Sequence, residues 1–334
     1  MKFLRDLPSV GDKKVLVWTE LDVPVENGNV VDNTRLKTAA QTLNYLRKEG
    51  ASILMLGHLG RPKDREPLLS LKPVARSLGE IIGDEVELLE EIKSPESDLA
   101  MLENIRFWPA EEAKDPSFAQ KIAKLGQIYV NDCFSTSHHA GSTMLYLPKL
   151  LPPYAGIAVE REVEELSKIS QSSLRPLVAI IGGAKIETKL PVIFNLAKGA
   201  DKVLVGGKLM FEVGRRSLPE NVVVAHDDVD TKDIGELSID LFKNLINKAK
   251  MIVWNGPMGM FEDDKYMNGT REIATSVVES GGYSVVGGGD TIAALNKMDL
   301  LNKISFVSIG GGAMLEFLAG KKLPGLEALE GYTS

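Results

Sequence analysis

Four glycine clusters in the second half of the chain each follow a short apolar run: Gly182-Gly183-Ala184-Lys185, Asn255-Gly256-Pro257, Gly287-Gly288-Gly289-Asp290-Thr291 and Gly310-Gly311-Gly312-Ala313. Glycine at a strand end lets the backbone approach a phosphate chain or a sugar, and a helix beginning there adds free N–H groups. The segment AMLEFLAG after Gly312 reads as such a helix. One cluster alone is equally a tight turn. Four together point to a nucleotide-phosphate site, although none matches GxxxxGK[ST] or GxGxxG, so the usual nucleotide folds are not supported. Lys185 and Lys189 are four residues apart, which puts both on one face if IETKLPVIF opens a helix. They are either solvated surface charges or point charges for a phosphoryl group. Asp290 is either a Mg²⁺ ligand that shares the ion with water and nucleotide oxygens, or a helix N-cap.

The first half has fewer glycines and carries its basic groups at strand ends: Arg35, His58 and Arg61 in GHLGRPK, Arg106 in MLENIRF, and His138 and His139 in NDCFSTSHHAGS. Several such groups at the ends of different strands suggest an oxyanion pocket. The alternative is a scatter of surface arginines.

The elements that position these residues are apolar runs followed by turn signals and helical patterns. They are VLVW (15–18), SILML (52–56), IYV (128–130), LVAII (177–181), KVLVG (202–206), MIVW (251–254), YSVVG (283–287) and ISFVSI (304–309). Nearly continuous apolar strands alternating with helices require a parallel sheet covered on both faces. This predicts an α/β protein with that arrangement in two copies. Pro148, Pro152 and Pro153 interrupt regular structure, and Glu160 to Ser170 reads as a polar connecting helix. At 334 residues, two domains are expected.

Hydrophobic residues make up 44% and charged residues 25%, as in an ordinary globular protein. The net charge of −7 favours neither nucleic acid nor an anionic membrane as partner. Cys133 is the lone cysteine, so no disulfide framework or structural zinc site is expected. The amino terminus lacks an apolar stretch and no run of 18 apolar residues occurs, which predicts a cytoplasmic protein.

In order, GHLGRPK, LLSLKPVA, MLENIRF, YVNDCF, AGIAVERE, IIGGAKIETK, IVWNGPMGMFE, VVGGGDT and VSIGGGAMLEFLAGKKLPG resemble phosphoglycerate kinases from about Val15 to Leu326. The resemblance implies two Rossmann-like domains, each a parallel sheet covered by helices, facing across a cleft. Residues 1–155 would bind 3-phosphoglycerate, 156–174 would form an interdomain helix, 175–317 would bind nucleotide, and 318–334 would return to the first domain. It also implies reversible phosphoryl transfer between Mg-ATP and 3-phosphoglycerate, giving 1,3-bisphosphoglycerate and ADP, by a monomer that closes about a hinge near Glu160 to Ser170. Arg35, His58, Arg61 and Arg106 would face the acid, Arg35 beside the phosphoryl group in flight. Gly183, Ala184, Lys185, Lys189, Asn255, Pro257, Glu262, Gly288, Gly289, Asp290 and Thr291 would face the nucleotide, Asp290 through Mg²⁺ and Glu262 at the ribose. Arg35, Lys185 and the amides around Gly311 would stabilise the transferring group.

The chain departs from the family at several of these places. The family's RVDFNVP is Trp18-Thr19-Glu20-Leu21-Asp22-Val23-Pro24 here, so Glu20 and Asp22 would face the substrate, and the phosphate-binding arginine of AHRAH is His139. The segment from 208 to 232 is shorter than in the family. A nucleotide-binding homologue with an altered acceptor or lost turnover is the alternative, and the retained Arg35, Lys185 and Asp290 argue against it.

Overall fold

The computed structural model describes residues 1–171, 173–213 and 217–332. The chain forms two compact units, one of Met1–Glu162 with the segment from Lys322, the other of Val163–Lys321. Ser172, residues 214–216 and 333–334 fall within the spans assigned above and lie outside the described residues.

In the first unit the strands are β1 (Lys14–Trp18), β2 (Val25–Glu26), β3 (Asn29–Val30), β4 (Ser52–Leu56), β5 (Glu87–Leu89), β6 (Leu99–Leu102), β7 (Ile128–Asn131) and β8 (Pro153–Ala155). β2 and β3 form a small hairpin, and the rest make one sheet ordered β5-β6-β4-β1-β7-β8. Every pairing in that sheet is parallel. Val15, Val17, Ile53 and Met55 pack with Leu36, Ala40, Leu43 and Leu46 of the helix Thr34–Lys48 and with Val74 and Leu78 of the helix Lys72–Ile82. Leu16 and Leu54 alternate with them and are equally buried, which accounts for runs of apolar residues without a polar face. Each such side chain contributes about 1.5–3 kcal/mol by leaving water.

The second unit repeats the plan. Its strands are β9 (Leu177–Ile181), β10 (Lys202–Val205), β11 (Val222–Val224), β12 (Asp228–Val229), β13 (Asp233–Ile234), β14 (Met251–Asn255), β15 (Tyr283–Gly287) and β16 (Phe306–Ser308). The large sheet runs β11-β10-β9-β14-β15-β16, again parallel throughout. Val178, Ile180, Ile252, Trp254 and Val286 pack with Ile239, Phe242 and Ile246 of the helix Glu236–Ile246 and with Ile273 and Val277 of the helix Asn268–Glu279. The chain is thus two parallel α/β sheets covered by helices.

In each sheet the chain crosses once from one side of its first strand to the other. In the first unit this lies between β1 and β7, in the second between β9 and β14. Ligands of open α/β sheets bind at the carboxyl ends of strands beside such a switch point. The helix Ile157–Gln171 begins in the first unit and ends in the second. Its start is fastened within the first unit, where Ile157 N donates to Thr42 Oγ1 at 2.9 Å and Ala158 N to Asp132 Oδ1 at 2.8 Å. Burial raises the Asp132 carboxyl to about 7.

Candidate functional site

In the second unit, the loops after β9 and β14 hold each other at the switch point. Gly182 N donates to Asn255 O at 3.0 Å and Gly183 N to Pro257 O at 2.9 Å. Gly183, Gly256 and Gly288 have φ of 88°, 98° and 97°, a region that favours glycine. A Cβ on Gly256 would collide with the Gly182 carbonyl. Thr291 is buried, and its hydroxyl accepts from Gly256 N at 2.7 Å, so it secures the loop. The clusters are therefore loops locked against one another, with chemistry at their rim.

That rim carries the exposed groups. Ala184 and Lys185 are exposed, and Lys185 stands immediately before the helix Ile186–Ala197. Lys189 is buried instead, donating from Nζ to Asn255 O at 3.0 Å and to Asn255 Oδ1. The two lysines thus occupy different environments: one meets solvent, the other braces the strand end. Burial pulls the Lys189 ammonium down to about 8, with Asp290 opposing. Asp290 is exposed in the first turn of the helix Gly289–Lys297, which begins after Gly288, so Asp290 is not its N-cap. Glu262 is also exposed. Among the described residues no side chain caps the helices Gly289–Lys297 or Gly311–Leu318, and a Cβ on Gly289 or Gly311 would meet open space. Both helix starts offer unclaimed amides to an anion.

In the first unit the basic groups gather at the ends of β1, β4, β6 and β7. Arg35, second residue of the helix Thr34–Lys48, donates from Nη1 to Asp22 O at 2.8 Å and lies 3.3 Å from Glu20 Oε1. Asp22, Val23, Pro24, Asp32 and Arg35 line a pocket of about 420 Å³. Asp22 Oδ1 accepts from Gly60 N at 2.9 Å, and its Oδ2 is 3.8 Å from His58 Nε2. Burial, then the Arg106 charge, lowers His58 to about 4, so its imidazole is neutral near pH 7. Arg106 donates from Nη1 to Gly60 O at 2.8 Å, and its Nε lies 2.8 Å from Glu112 Oε1. His139 Nε2 stands 3.5 Å from Glu112 Oε2, and Arg61 is exposed. Glu20, Asp22, Arg35, His58, Arg106 and His139 are thus linked directly or through Glu112 and the Gly60 backbone.

Several participants carried no sequence signal. Glu111 is buried, accepts from Thr143 N and Oγ1 at 2.9 Å each, and is raised to about 7 by burial. Thr143 Oγ1 in turn accepts from Trp18 Nε1 at 2.9 Å, and the Trp18 ring lies 5.8 Å from that of His58. Glu112 and Ser135 likewise join the site only through tertiary contacts, Glu112 with Arg106 and Ser135 with Glu20. A carboxylate beside a bulky pair such as Phe107-Trp108 has no periodicity to single it out.

Comparison with known proteins gives one answer. The profile of the family described as phosphoglycerate kinase matches residues 4–216 and 211–321. The chain is 38% identical over 387 residues to the phosphoglycerate kinase of Dictyoglomus turgidum, covering 98% of each chain. It is 39% identical over 382 residues to that of Rubrobacter xylanophilus, covering 98% of this chain and 97% of the relative. Both alignments exceed the 334 residues present, so this chain is the more compact. The structure of phosphoglycerate kinase from Coxiella burnetii superposes with a TM-score of 0.86 at 31% identity, covering 97% of both chains. That from Pyrococcus horikoshii also gives 0.86, at 28% identity over 99% of this chain and 98% of the other.

Proposed function

The chain belongs to the phosphoglycerate kinase family, and from that premise we propose that it transfers a phosphoryl group reversibly between ATP and the carboxylate of 3-phosphoglycerate. It is a kinase of glycolysis by that membership. The observation that carries the residue assignment is the exposed Lys185 on the same sheet end as Asp290, beside two helix starts without side-chain caps.

The nucleophile is a carboxylate, ionised near neutral pH, so no general base has to remove a proton. The protein's work is to bring two anions into line and to stabilise charge on the equatorial oxygens of the transferring group. Lys185 and the amides at Gly311 serve the phosphoryl group from the nucleotide side. Arg35 serves it from the acid side, and Arg61, Arg106, His139 and the neutral His58 hold the acid.

A Mg²⁺ ion suits the donor set. Among the described residues no ready cluster of three acidic, histidine or cysteine side chains exists, and one exposed carboxylate, Asp290, stands at a helix start where phosphate oxygens would arrive. Mg²⁺ usually takes one or two carboxylates together with phosphates and water. When bound it neutralises charge on the phosphate oxygens.

The test is a coupled assay with Mg-ATP and 3-phosphoglycerate beside a direct measurement of ATP binding. Turnover with both substrates supports the assignment. ATP binding without turnover would instead identify a nucleotide-binding homologue that has lost this acceptor.

A further inference from the structure

We infer that Glu20 is a positioning residue for Arg35, locked by Ser135 across the switch point of the first sheet, rather than a contact for the acid. This inference rests on the phosphoryl-transfer reading above. Glu20 follows β1 and Ser135 follows β7, the adjacent strands that diverge at the switch point.

The carboxylate of Glu20 is buried and both its oxygens are engaged. Oε1 lies 3.3 Å from Arg35 Nη1. Oε2 accepts from Ser135 Oγ and, at 3.5 Å, from Cys133 Sγ. Burial pushes the Cys133 thiol up, which keeps it a protonated donor. A substrate hydroxyl would therefore have to share a buried carboxylate that three donors already hold. Losing a partner is costly for a buried carboxylate.

The same arrangement suits orientation. Arg35 is fixed on one nitrogen by Glu20 and by Asp22 O, while its side chain stays 34% exposed. The guanidinium is thus aimed without being covered. The loop after β7 sets Glu20, and Glu20 sets Arg35, so the β1–β7 pairing determines where the positive charge stands. Holding a charged group in line before reaction acts mainly on kcat.

The experiment uses the full chain with Glu20→Gln, Ser135→Ala, Arg35→Ala and their pairs. Initial rates are measured with Mg-ATP and 3-phosphoglycerate, and folding is followed by thermal melts. Glu20→Gln should lower kcat by about 10- to 100-fold, with KM for 3-phosphoglycerate within about twofold. Ser135→Ala should lower kcat less, and the Glu20→Gln/Ser135→Ala pair should be no slower than Glu20→Gln alone. Added guanidinium ion should partly restore Arg35→Ala when Glu20 is present, and not in Arg35→Ala/Glu20→Gln. A raised KM with unchanged kcat in Glu20→Gln would make Glu20 a substrate contact and overturn the inference, as would additive losses in the pair with Ser135. If the unsubstituted chain fails to turn over, the functional reading falls and the melts decide this one. Non-additive Tm changes for Arg35→Ala and Glu20→Gln would uphold the link, and additive ones would refute it.

Discussion

Lys189 Nζ donates to the carbonyl oxygen of Asn255 at 3.0 Å from a buried position at the end of β14. Burial draws its ammonium down to about 8 and the Asp290 charge opposes this. The cation that braces the loops after β9 and β14 is therefore lost as pH rises through about 8 in the free protein. Nucleotide binding should weaken over that interval, and Asp290→Asn should move the weakening to lower pH. Titration of ATP without Mg²⁺ between pH 6.5 and 9 keeps any metal contact of Asp290 out of the comparison. A flat profile in both proteins would remove the Lys189 charge from binding.

His58 offers the opposite test. Its pKa is lowered to about 4 because the ring is buried and Arg106 is near. The folded protein then binds the proton less readily than the unfolded chain, so stability from this residue is intact above about 6.5 and falls as pH drops toward 4. Replacing it with Gln should flatten that part of the stability curve. Denaturant melts at pH 4.5 and 7 measure the slope, and an unchanged slope in His58→Gln would show that another group causes it.

Lys185 and Gly256 should separate chemistry from architecture. Lys185 is exposed at the start of its helix, so Lys185→Ala should lower kcat more than it raises KM and leave Tm nearly unaltered. Gly256→Ala places a methyl group against the Gly182 carbonyl at φ 98°, and should cost about 2–4 kcal/mol of stability. Near-normal kcat in Lys185→Ala would exclude that lysine from the transition state. An unshifted melt in Gly256→Ala would show that the two loops separate easily.

Burial on both faces decides which elements are legible in the sequence. Runs such as LVAII and MIVW announce central strands because both of their faces are buried, and the glycines that follow mark the loops. The edge strands Glu87–Leu89, Pro153–Ala155 and Val222–Val224 have three residues each and give little pattern, whereas the equally short edge strand Phe306–Ser308 lies inside the longer run ISFVSI. Pro153 reads as an interruption, yet it opens an edge strand, a place proline can occupy. In the site, Lys189 is indistinguishable from Lys185 by type and spacing. Only the packing of the helix Ile186–Ala197 makes one buried and the other exposed. The bonds of Glu20 to Ser135 and Glu111 to Thr143 join residues distant in sequence, the first through the pairing of β1 with β7 and the second through the packing of two helices.

Glu112 lies between the two basic groups assigned to the phosphate of the acid, with Oε1 2.8 Å from Arg106 Nε and Oε2 3.5 Å from His139 Nε2. An arginine at 139 would carry its charge at every working pH and could grip phosphate with two nitrogens. It would also meet Glu112, a competing carboxylate already beside it. His139→Arg alone should therefore lower KM for 3-phosphoglycerate only slightly at pH 8. Combined with Glu112→Gln, it should lower KM by about tenfold, the change expected when one charge-assisted contact passes from the carboxylate to the substrate. Glu112→Gln alone should produce an intermediate gain by releasing Arg106. Steady-state KM values for the three variants, with melts confirming folding, measure the competition directly. A full gain in His139→Arg with Glu112 intact would show that this carboxylate does not compete. A raised KM in Glu112→Gln would show instead that Glu112 is needed to aim Arg106.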